Sequence, residues 1–243
     1  MAIETGAELR YEAIRLARLV VGFAPELGEA WSLLALLLLS EVRAATAVDS
    51  EGTFVPLADQ DRGQWDQECI DEAHEALRRG RRLRLTTPLQ LEAEISAHHT
   101  FARTADAVDW VAIRDLYHQL LDVGGENAGI QLNMAVAIAE AGDLAAAMGL
   151  LDQLEQTAVG EPWRVHAARA HIHQLATDSQ AARHQWQLAA QTAPPTLIAQ
   201  LQHRAEQQQL QANGDESSPE VIEDGSGIPA EGSPDPTTDI QSR

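Results

Sequence analysis

The residues most able to carry out chemistry in this sequence are carboxylates crowded into one polar stretch. Asp49, Glu51, Asp59, Asp61 and Asp66 would supply oxygen ligands of the kind that divalent cations prefer. Their spacing does not follow the twelve-residue loop of an EF-hand, and the sequence offers no obvious further ligand. We therefore interpret them as solvated loop carboxylates and expect no bound metal.

Histidine is the second residue type that can hold a metal, and six histidines stand out: His98, His99, His118, His166, His171 and His173. His166 and His173 lie two helical turns apart on one face. Helical zinc sites use an i, i+4 pair with a third ligand, and no HExxH motif occurs in the sequence. Hydrogen bonding between helices, or exposure to solvent, is the favoured interpretation.

Covalent catalysis has little support. Cys69 is the single cysteine, it has no histidine beside it in the sequence, and it falls at an expected core position of a helix. Neither a glycine-rich phosphate loop nor a nucleophile elbow is present. We expect a protein that is not an enzyme and has no cofactor.

Binding is the chemistry that the sequence favours, because tryptophans supply anchor area and neighbouring charges supply orientation. The candidate protein-binding residues are Asp59, Asp61, Arg62, Trp65, Asp66, Asp109, Trp110 and Asn133. Asn133 stands out as an amide in an apolar helix, where a buried amide must find hydrogen-bond partners.

Structural alternatives exist for several of these residues. Trp65 can plug the edge of the core, and Trp110 can line it. Asp61 and Arg62 can cap a helix that starts near Gly63.

The elements that would position these residues are helices. Hydrophobic residues make up 44% of the chain and aromatic residues only 4%, a mixture that favours helix packing over a β-sandwich. Apolar residues recur with helical spacing in ten stretches: 6–21, 28–46, 64–80, 88–103, 108–122, 128–141, 143–156, 162–176, 179–192 and 195–211. Residues 48–60 predict a small hairpin or an ordered loop. The predicted fold is all-α, with antiparallel helical hairpins stacked in an array.

The array has a degenerate tetratricopeptide pattern. Alignment on Pro194 places Ala182, Trp186 and Ala189 at the small, aromatic and small positions of the second repeat helix. The first repeat helix departs from the pattern, for example at His166. Stacked hairpins of this kind usually serve as scaffolds for a peptide or protein.

Charge divides the chain into two predicted domains, a helical-repeat domain at residues 1–212 and a disordered acidic tail at residues 213–243. The net charge is −20, and the tail holds eight Asp or Glu and one Arg. Such acidity makes direct binding to nucleic acid unlikely, and the basic run at residues 78–84 is interpreted mainly as a solvated helix end. Without a signal peptide or a long apolar run, the sequence predicts a cytoplasmic protein that does not enter a membrane.

Several short islands, in order, resemble a known family. They are Glu12 to Leu19, Leu33 to Leu36 through Arg43 with Val48-Asp49, Asp59 to Arg62 with Trp65-Asp66, Asp109-Trp110 with Ile113, Leu116 and Tyr117, Leu132-Asn133 with Ala135 to Ala137, and His166 to Ala170. Together they resemble the C-terminal tetratricopeptide-like extension of a subgroup of bacterial extracytoplasmic-function RNA polymerase sigma factors. The resemblance covers roughly residues 10–210.

The resemblance implies a role in transcription initiation through protein contacts. A complete factor of that family carries promoter-binding domains ahead of the extension, whereas no basic helix-turn-helix segment precedes Arg10 here. The expected partner is a separately encoded sigma-like promoter-binding part or RNA polymerase. A stand-alone adaptor unrelated to polymerase, or a remnant of a sigma factor gene, are the alternatives.

Overall fold

The computed structural model describes residues 2–50, 52, 54–83, 86–157 and 161–215, and within these ranges it contains ten α-helices and no β-strand. The helices are α1 (Ala2–Phe23), α2 (Gly28–Ala44), α3 (Gln67–Arg82), α4 (Pro88–Phe101), α5 (Trp110–Gly124), α6 (Ala128–Glu140), α7 (Leu144–Gln156), α8 (Pro162–Leu175), α9 (Ser179–Thr192) and α10 (Pro195–Asp215). The all-α prediction is confirmed, and every predicted helix is present with shifts of only a few residues at its ends.

Short polar side chains begin many of these helices. Asn127 accepts hydrogen bonds from the backbone N–H groups of Gly129 and Ile130, and Asp143 accepts one from Ala146 at 2.9 Å. A side-chain oxygen at this position satisfies backbone donors that have no partner inside the helix. The turn residues of the sequence therefore set where the helices start.

The helices pack as successive hairpins. Helices α2 and α3, α4 and α5, α6 and α7, and α8 and α9 pack as pairs, and α10 packs on α9. The first helix of a pair also contacts the pair before it, since α4 packs on α2 and α3, and α8 packs on α6 and α7. This arrangement is a stack of antiparallel hairpins, as the sequence predicts.

The core runs along the stack as four clusters that share helices. The first cluster joins α1 to α4, the next links α4, α5 and α6, another links α6, α7 and α8, and the last links α8, α9 and α10. Small residues allow close packing in it. A Cβ on Gly80 of α3 would lie 3.3 Å from Ser32 Oγ of α2, so these two helices need a glycine where they cross.

The tetratricopeptide positions of α9 lie in the core. Ala182, Trp186 and Ala189 are all buried, on the face that packs against α8 and α10. Burial of these positions agrees with the repeat pattern without defining tetratricopeptide geometry, which stays a prediction. The boundary between domain and tail also stays a prediction, because residues 216–243 lie outside the described part of the chain.

The segment between α2 and α3 is an ordered loop. A single antiparallel bridge joins Val48 to Phe54, and two short 3₁₀ turns follow at Leu57–Asp59 and Arg62–Gln64. Residues 45–66 are called the Trp65 loop below. None of the described helices combines the length and apolarity needed to cross a membrane.

Candidate binding groove

Two adjoining cavities form one groove beside the Trp65 loop. One, of about 500 Å³, is lined from α2, α4, α5 and α6, and the other, of about 380 Å³, extends to α8. Both are lined by Leu57, His99, Trp110 and Val136, so they are continuous. Cavities of several hundred Å³ are of the size that small ligands occupy.

A buried hydrogen-bond chain holds the Trp65 loop together. The Trp65 indole N–H donates to Thr46 Oγ1 at 2.8 Å, and the Thr46 hydroxyl donates to Gln60 Oε1 at 3.0 Å. The Gln60 amide in turn donates to the Val55 carbonyl at 3.0 Å. Trp65 is buried, so it plugs the edge of the core, which was the structural alternative for this residue.

Arg62 joins the Trp65 loop to the end of α4. Its Nη1 donates to the carbonyl oxygens of His99 at 2.6 Å and of Ala102 at 3.0 Å. The guanidinium carbon lies 4.7 Å from the centre of the Trp65 ring, a cation–π distance. Arg62 therefore satisfies carbonyl groups that α4 leaves without partners, and it also lines the groove.

Three of the predicted binding carboxylates are caps in the structure. Asp66 accepts hydrogen bonds from the N–H groups at the start of α3, and Asp109 accepts one from Ala112 at 2.9 Å at the start of α5. Asp61 caps the short turn Arg62–Gln64 and not α3, so the expected helix start near Gly63 is wrong. The exposed carboxylate of Asp59 lies 3.6 Å from Arg204 of α10.

Hydrogen bonds lower the pKa of two of these capping carboxyl groups. For Asp61 the Gln64 side chain is the main cause, with the Gly63 N–H second, and for Asp66 the Cys69 N–H is the main cause. Both carboxylates are therefore ionised at neutral pH, and each offsets the partial positive charge of the backbone amides that it caps.

Trp110 and Asn133 line the groove. Trp110 is half-buried and meets the His99 ring edge-on, with 5.1 Å between the ring centres. Asn133 is exposed, so the expectation of a buried amide is wrong. The side chain of Asn133 forms a hydrogen bond with Tyr117, whose pKa is raised mainly by burial. Arg62, Trp110 and Asn133 are thus the three predicted residues that the structure brings together at the groove.

Sequence reasoning missed Arg43 and His99 as groove residues. Arg43 follows the apolar face of α2, and its Nε donates to the Leu39 carbonyl at 3.1 Å. Burial and the charges of Arg43 and Arg62 lower the pKa of His99 to about 4. In the sequence, His99 is one of several histidines and has no feature that sets it apart. Arg43 does have one, because it ends a leucine-rich helix, where a charged side chain needs a specific partner.

Two other histidines, His166 and His171, pair between helices. His171 Nε2 lies 2.8 Å from Glu140 Oε1, and His166 Nδ1 lies 2.9 Å from Gln185 Oε1. Within the described ranges, no group of three potential metal ligands comes together. Burial raises the pKa of the Cys69 thiol to about 11, which keeps it protonated and weakly nucleophilic at neutral pH.

The basic run at the end of α3 forms ion pairs with neighbouring carboxylates. Arg78 and Arg79 both pair with Glu75, at 2.6 and 2.7 Å, and Arg81 pairs with the buried carboxylate of Glu94 on α4. Hydrogen bonding to Glu94 raises the pKa of Arg81. Arg78, Arg79 and Arg81 are therefore held by carboxylates of the scaffold, while Arg84 lies outside the described residues.

The first helix carries an apolar outer face. Ile14, Ala17 and Val21 pack into the core, while the opposite side of α1 exposes Leu9, Leu16, Leu19, Val20 and Phe23, the last at 87%. At 3.6 residues per turn these five residues form one stripe along the helix. This stripe is called the α1 face below.

Fold and surface together define a stack of helical hairpins with a lined groove and an exposed apolar stripe on α1. Residues 3–81, which include α1, α2 and the Trp65 loop, match a family of unknown function, DUF6596. An uncharacterised protein of Rhizobium meliloti (strain 1021) is 36% identical over 154 residues. This match covers 63% of the chain and 36% of that protein, so the chain spans little more than a third of the relative's length. No solved structure matches the chain.

Proposed function

We propose that this chain is a protein-interaction module related to the extension of extracytoplasmic-function sigma factors. It controls transcription initiation in the cytoplasm by contacting a sigma-like partner or RNA polymerase, and it has no enzymatic activity of its own. The α1 face is the observation that carries this proposal. Five large apolar side chains exposed on one stripe of α1 form a surface suited to docking a protein.

The position of the α1 face in the stack strengthens the argument. Large apolar side chains on the outer side of a stacked helix are normally covered by a neighbouring element or by a partner. Helix α1 packs on α2 and presents Leu16, Leu19 and Phe23 on its other side. The spacing of these side chains is that of a helix that docks on a helical partner or in a groove.

The sigma-like identity of the partner comes from the sequence resemblance. Its islands include α1 and the Trp65 loop, and the same part of the chain matches DUF6596. The net charge of −20 disfavours a phosphate backbone as the partner and leaves a protein surface as the better match. The Rhizobium meliloti relative is much longer than the matched region, so it has room for such a partner as a further domain of the same polypeptide.

Binding measurements with charge-bearing variants test the proposal. We expect Leu16→Glu and Phe23→Glu to weaken binding at least tenfold to RNA polymerase core enzyme or to purified sigma promoter-binding domains from the same organism. The double variant Val111→Glu and Val123→Glu is the matched control, because both valines are exposed apolar residues of α5. Biolayer interferometry with the full chain gives the affinities.

Two outcomes would contradict the proposal. Absence of binding to polymerase and to sigma domains would remove the transcription role and favour a stand-alone adaptor. Equal binding by the wild type and by the α1 variants, with circular dichroism showing intact helices, would move the docking surface away from the α1 face.

A further inference from the structure

We propose that the groove is a binding site for a small organic carboxylate, whose anionic group is bound by Arg43 and whose apolar body packs on Trp110. This site is distinct from the α1 face, and it would give a protein-interaction module a means to respond to a metabolite. The argument has three parts, which concern the cations, the unpaired donors and the apolar walls of the groove.

Two arginines of the groove, Arg43 and Arg62, form no ion pair with the carboxylates that also line it. Arg43 donates from Nε to the Leu39 carbonyl, and Arg62 donates to the carbonyls of His99 and Ala102. Within the described part of the chain neither arginine forms an ion pair, although the chain as a whole is strongly acidic. Burial lowers the pKa of both guanidinium groups. Partly buried cations without a counter-ion are stabilised when an anion binds beside them.

His99 reports the same positive potential. It lies between the two arginines, and both of their charges lower its pKa, after burial, which is the largest cause. His98 on the same helix also lowers the pKa of His99, while Glu140 on α6 raises it. The imidazole is therefore neutral at pH 7, which leaves the arginines as the positive charges that face a ligand in this part of the groove.

Two buried polar atoms at the groove lack hydrogen-bond partners. Ser96 is 5% exposed, lines the same cavity as Arg43, and its Oγ is unpaired. Trp163 lines the adjoining cavity, and its indole N–H is also unpaired. Both atoms are closed to water, so a ligand would reach them only after a small side-chain movement. A hydrogen bond formed there would recover part of the roughly 1–3 kcal/mol that an unsatisfied buried polar group costs.

Apolar side chains line much of the groove between its charged groups. Leu57, Val108, Trp110 and Val136 separate the polar atoms of the two cavities. A guanidinium binds a carboxylate with two parallel hydrogen bonds, and the apolar walls would cover the body of the ligand. The charge balance points to a single negative charge, because Glu92 and Glu140 also line the groove, against the arginines Arg43, Arg62 and Arg164.

Isothermal titration calorimetry on the full chain tests this site with defined probes. We expect 4-phenylbutyrate and indole-3-acetate to bind, and the corresponding neutral amides to bind at least tenfold more weakly. Inorganic phosphate tests whether charge alone is sufficient, and we expect it to bind at least tenfold more weakly than the two acids. A tripeptide that ends in a free leucine carboxylate distinguishes a chain terminus from a small molecule.

Variants locate the binding. Arg43→Gln and Ser96→Ala should each weaken carboxylate binding at least fivefold, and Arg82→Gln is the matched control, because it removes the same charge from the exposed end of α3. The inference would be overturned if neither acid bound, or if the acids and their amides bound equally well. It would also be overturned if phosphate or the tripeptide bound more tightly than the acids, or if the Arg43 and Ser96 variants kept the wild-type affinity. Since none of these residues belongs to the α1 face, the outcome is independent of the docking experiment.

Discussion

At the scale of single residues, His99 shows how burial and charge couple to stability. Its pKa is about 4 in the folded chain, against the ordinary histidine value of 6.5 that we take for the unfolded chain, so the unfolded state binds more protons between these pH values. Folding stability is therefore intact above pH 6.5 and falls as the pH drops toward 4. Between pH 7 and pH 5, His99 should account for a loss of about 2 kcal/mol in the free energy of unfolding.

Urea unfolding of the wild type and of His99→Gln at pH 7 and pH 5 measures this contribution. The variant should lose about 2 kcal/mol less than the wild type between the two pH values, since glutamine does not titrate. His118→Gln, at an exposed position of α5, is the control and should behave as the wild type does. An equal loss in the wild type and in His99→Gln would show that the imidazole is not desolvated in the folded chain.

Single residues were the part of the candidate site that sequence predicted least well. Of the predicted protein-binding residues, Trp110 lines the groove, and its role in binding stays a prediction, while Asn133 was expected to be buried and is exposed. Asp66 and Asp109 look the same in a sequence whether they bind a partner or cap a helix, because both roles use a short carboxylate beside a helix start. Arg43 was missed because its place at the groove depends on packing between α2, α4 and α6, which the sequence does not display.

At the scale of elements, the Trp65 loop depends on one buried hydroxyl. Thr46 accepts a hydrogen bond from the Trp65 indole and donates one to Gln60, and all three side chains are buried. Thr46→Val keeps the shape and leaves two polar groups without a partner, which should cost about 2–3 kcal/mol of unfolding free energy. Thr46→Ser keeps the hydroxyl and loses a methyl group, which should cost about 1 kcal/mol.

Chemical denaturation of both Thr46 variants measures the difference between them. A larger loss for valine than for serine would confirm that the hydroxyl organises the loop. A larger loss for serine would mean that the methyl group of Thr46 contributes more to the free energy of unfolding than its two hydrogen bonds do. Because Leu57 and Arg62 reach the groove from this loop, we also expect Thr46→Val to weaken ligand binding there.

The helices themselves were predictable because their signals are local. Apolar residues recur at the helical period, and residues such as Asn127 and Asp143 mark the starts. The Trp65 loop was predicted only as a hairpin or an ordered loop. Its two 3₁₀ turns and its buried hydrogen bonds depend on contacts with α4, and such contacts have no periodic signature.

At the scale of the whole molecule, the core clusters form a linear series in which neighbouring clusters share a helix. Helix α4 belongs to the first two core clusters, and α8 belongs to the last two. In such an array, stability is close to a sum of local terms. Two long-range pairs join α10 to the Trp65 loop, Gln200 with the Phe54 carbonyl at 3.0 Å and Arg204 with Asp59 at 3.6 Å, and partly exposed pairs of this kind stabilise weakly.

A matched pair of core substitutions tests whether the stack unfolds by parts. Leu77→Ala in α3 and Leu201→Ala in α10 remove the same atoms from buried sites in the first and last clusters, and each should cost about 3 kcal/mol locally. Hydrogen exchange with mass spectrometry should then show faster exchange in α1 to α4 for Leu77→Ala, and in α8 to α10 for Leu201→Ala. If both variants instead lost protection over the same helices, the clusters would unfold as one cooperative unit. A ligand in the groove, which contacts α2, α4, α6 and α8, would then stabilise the whole stack and not only its middle.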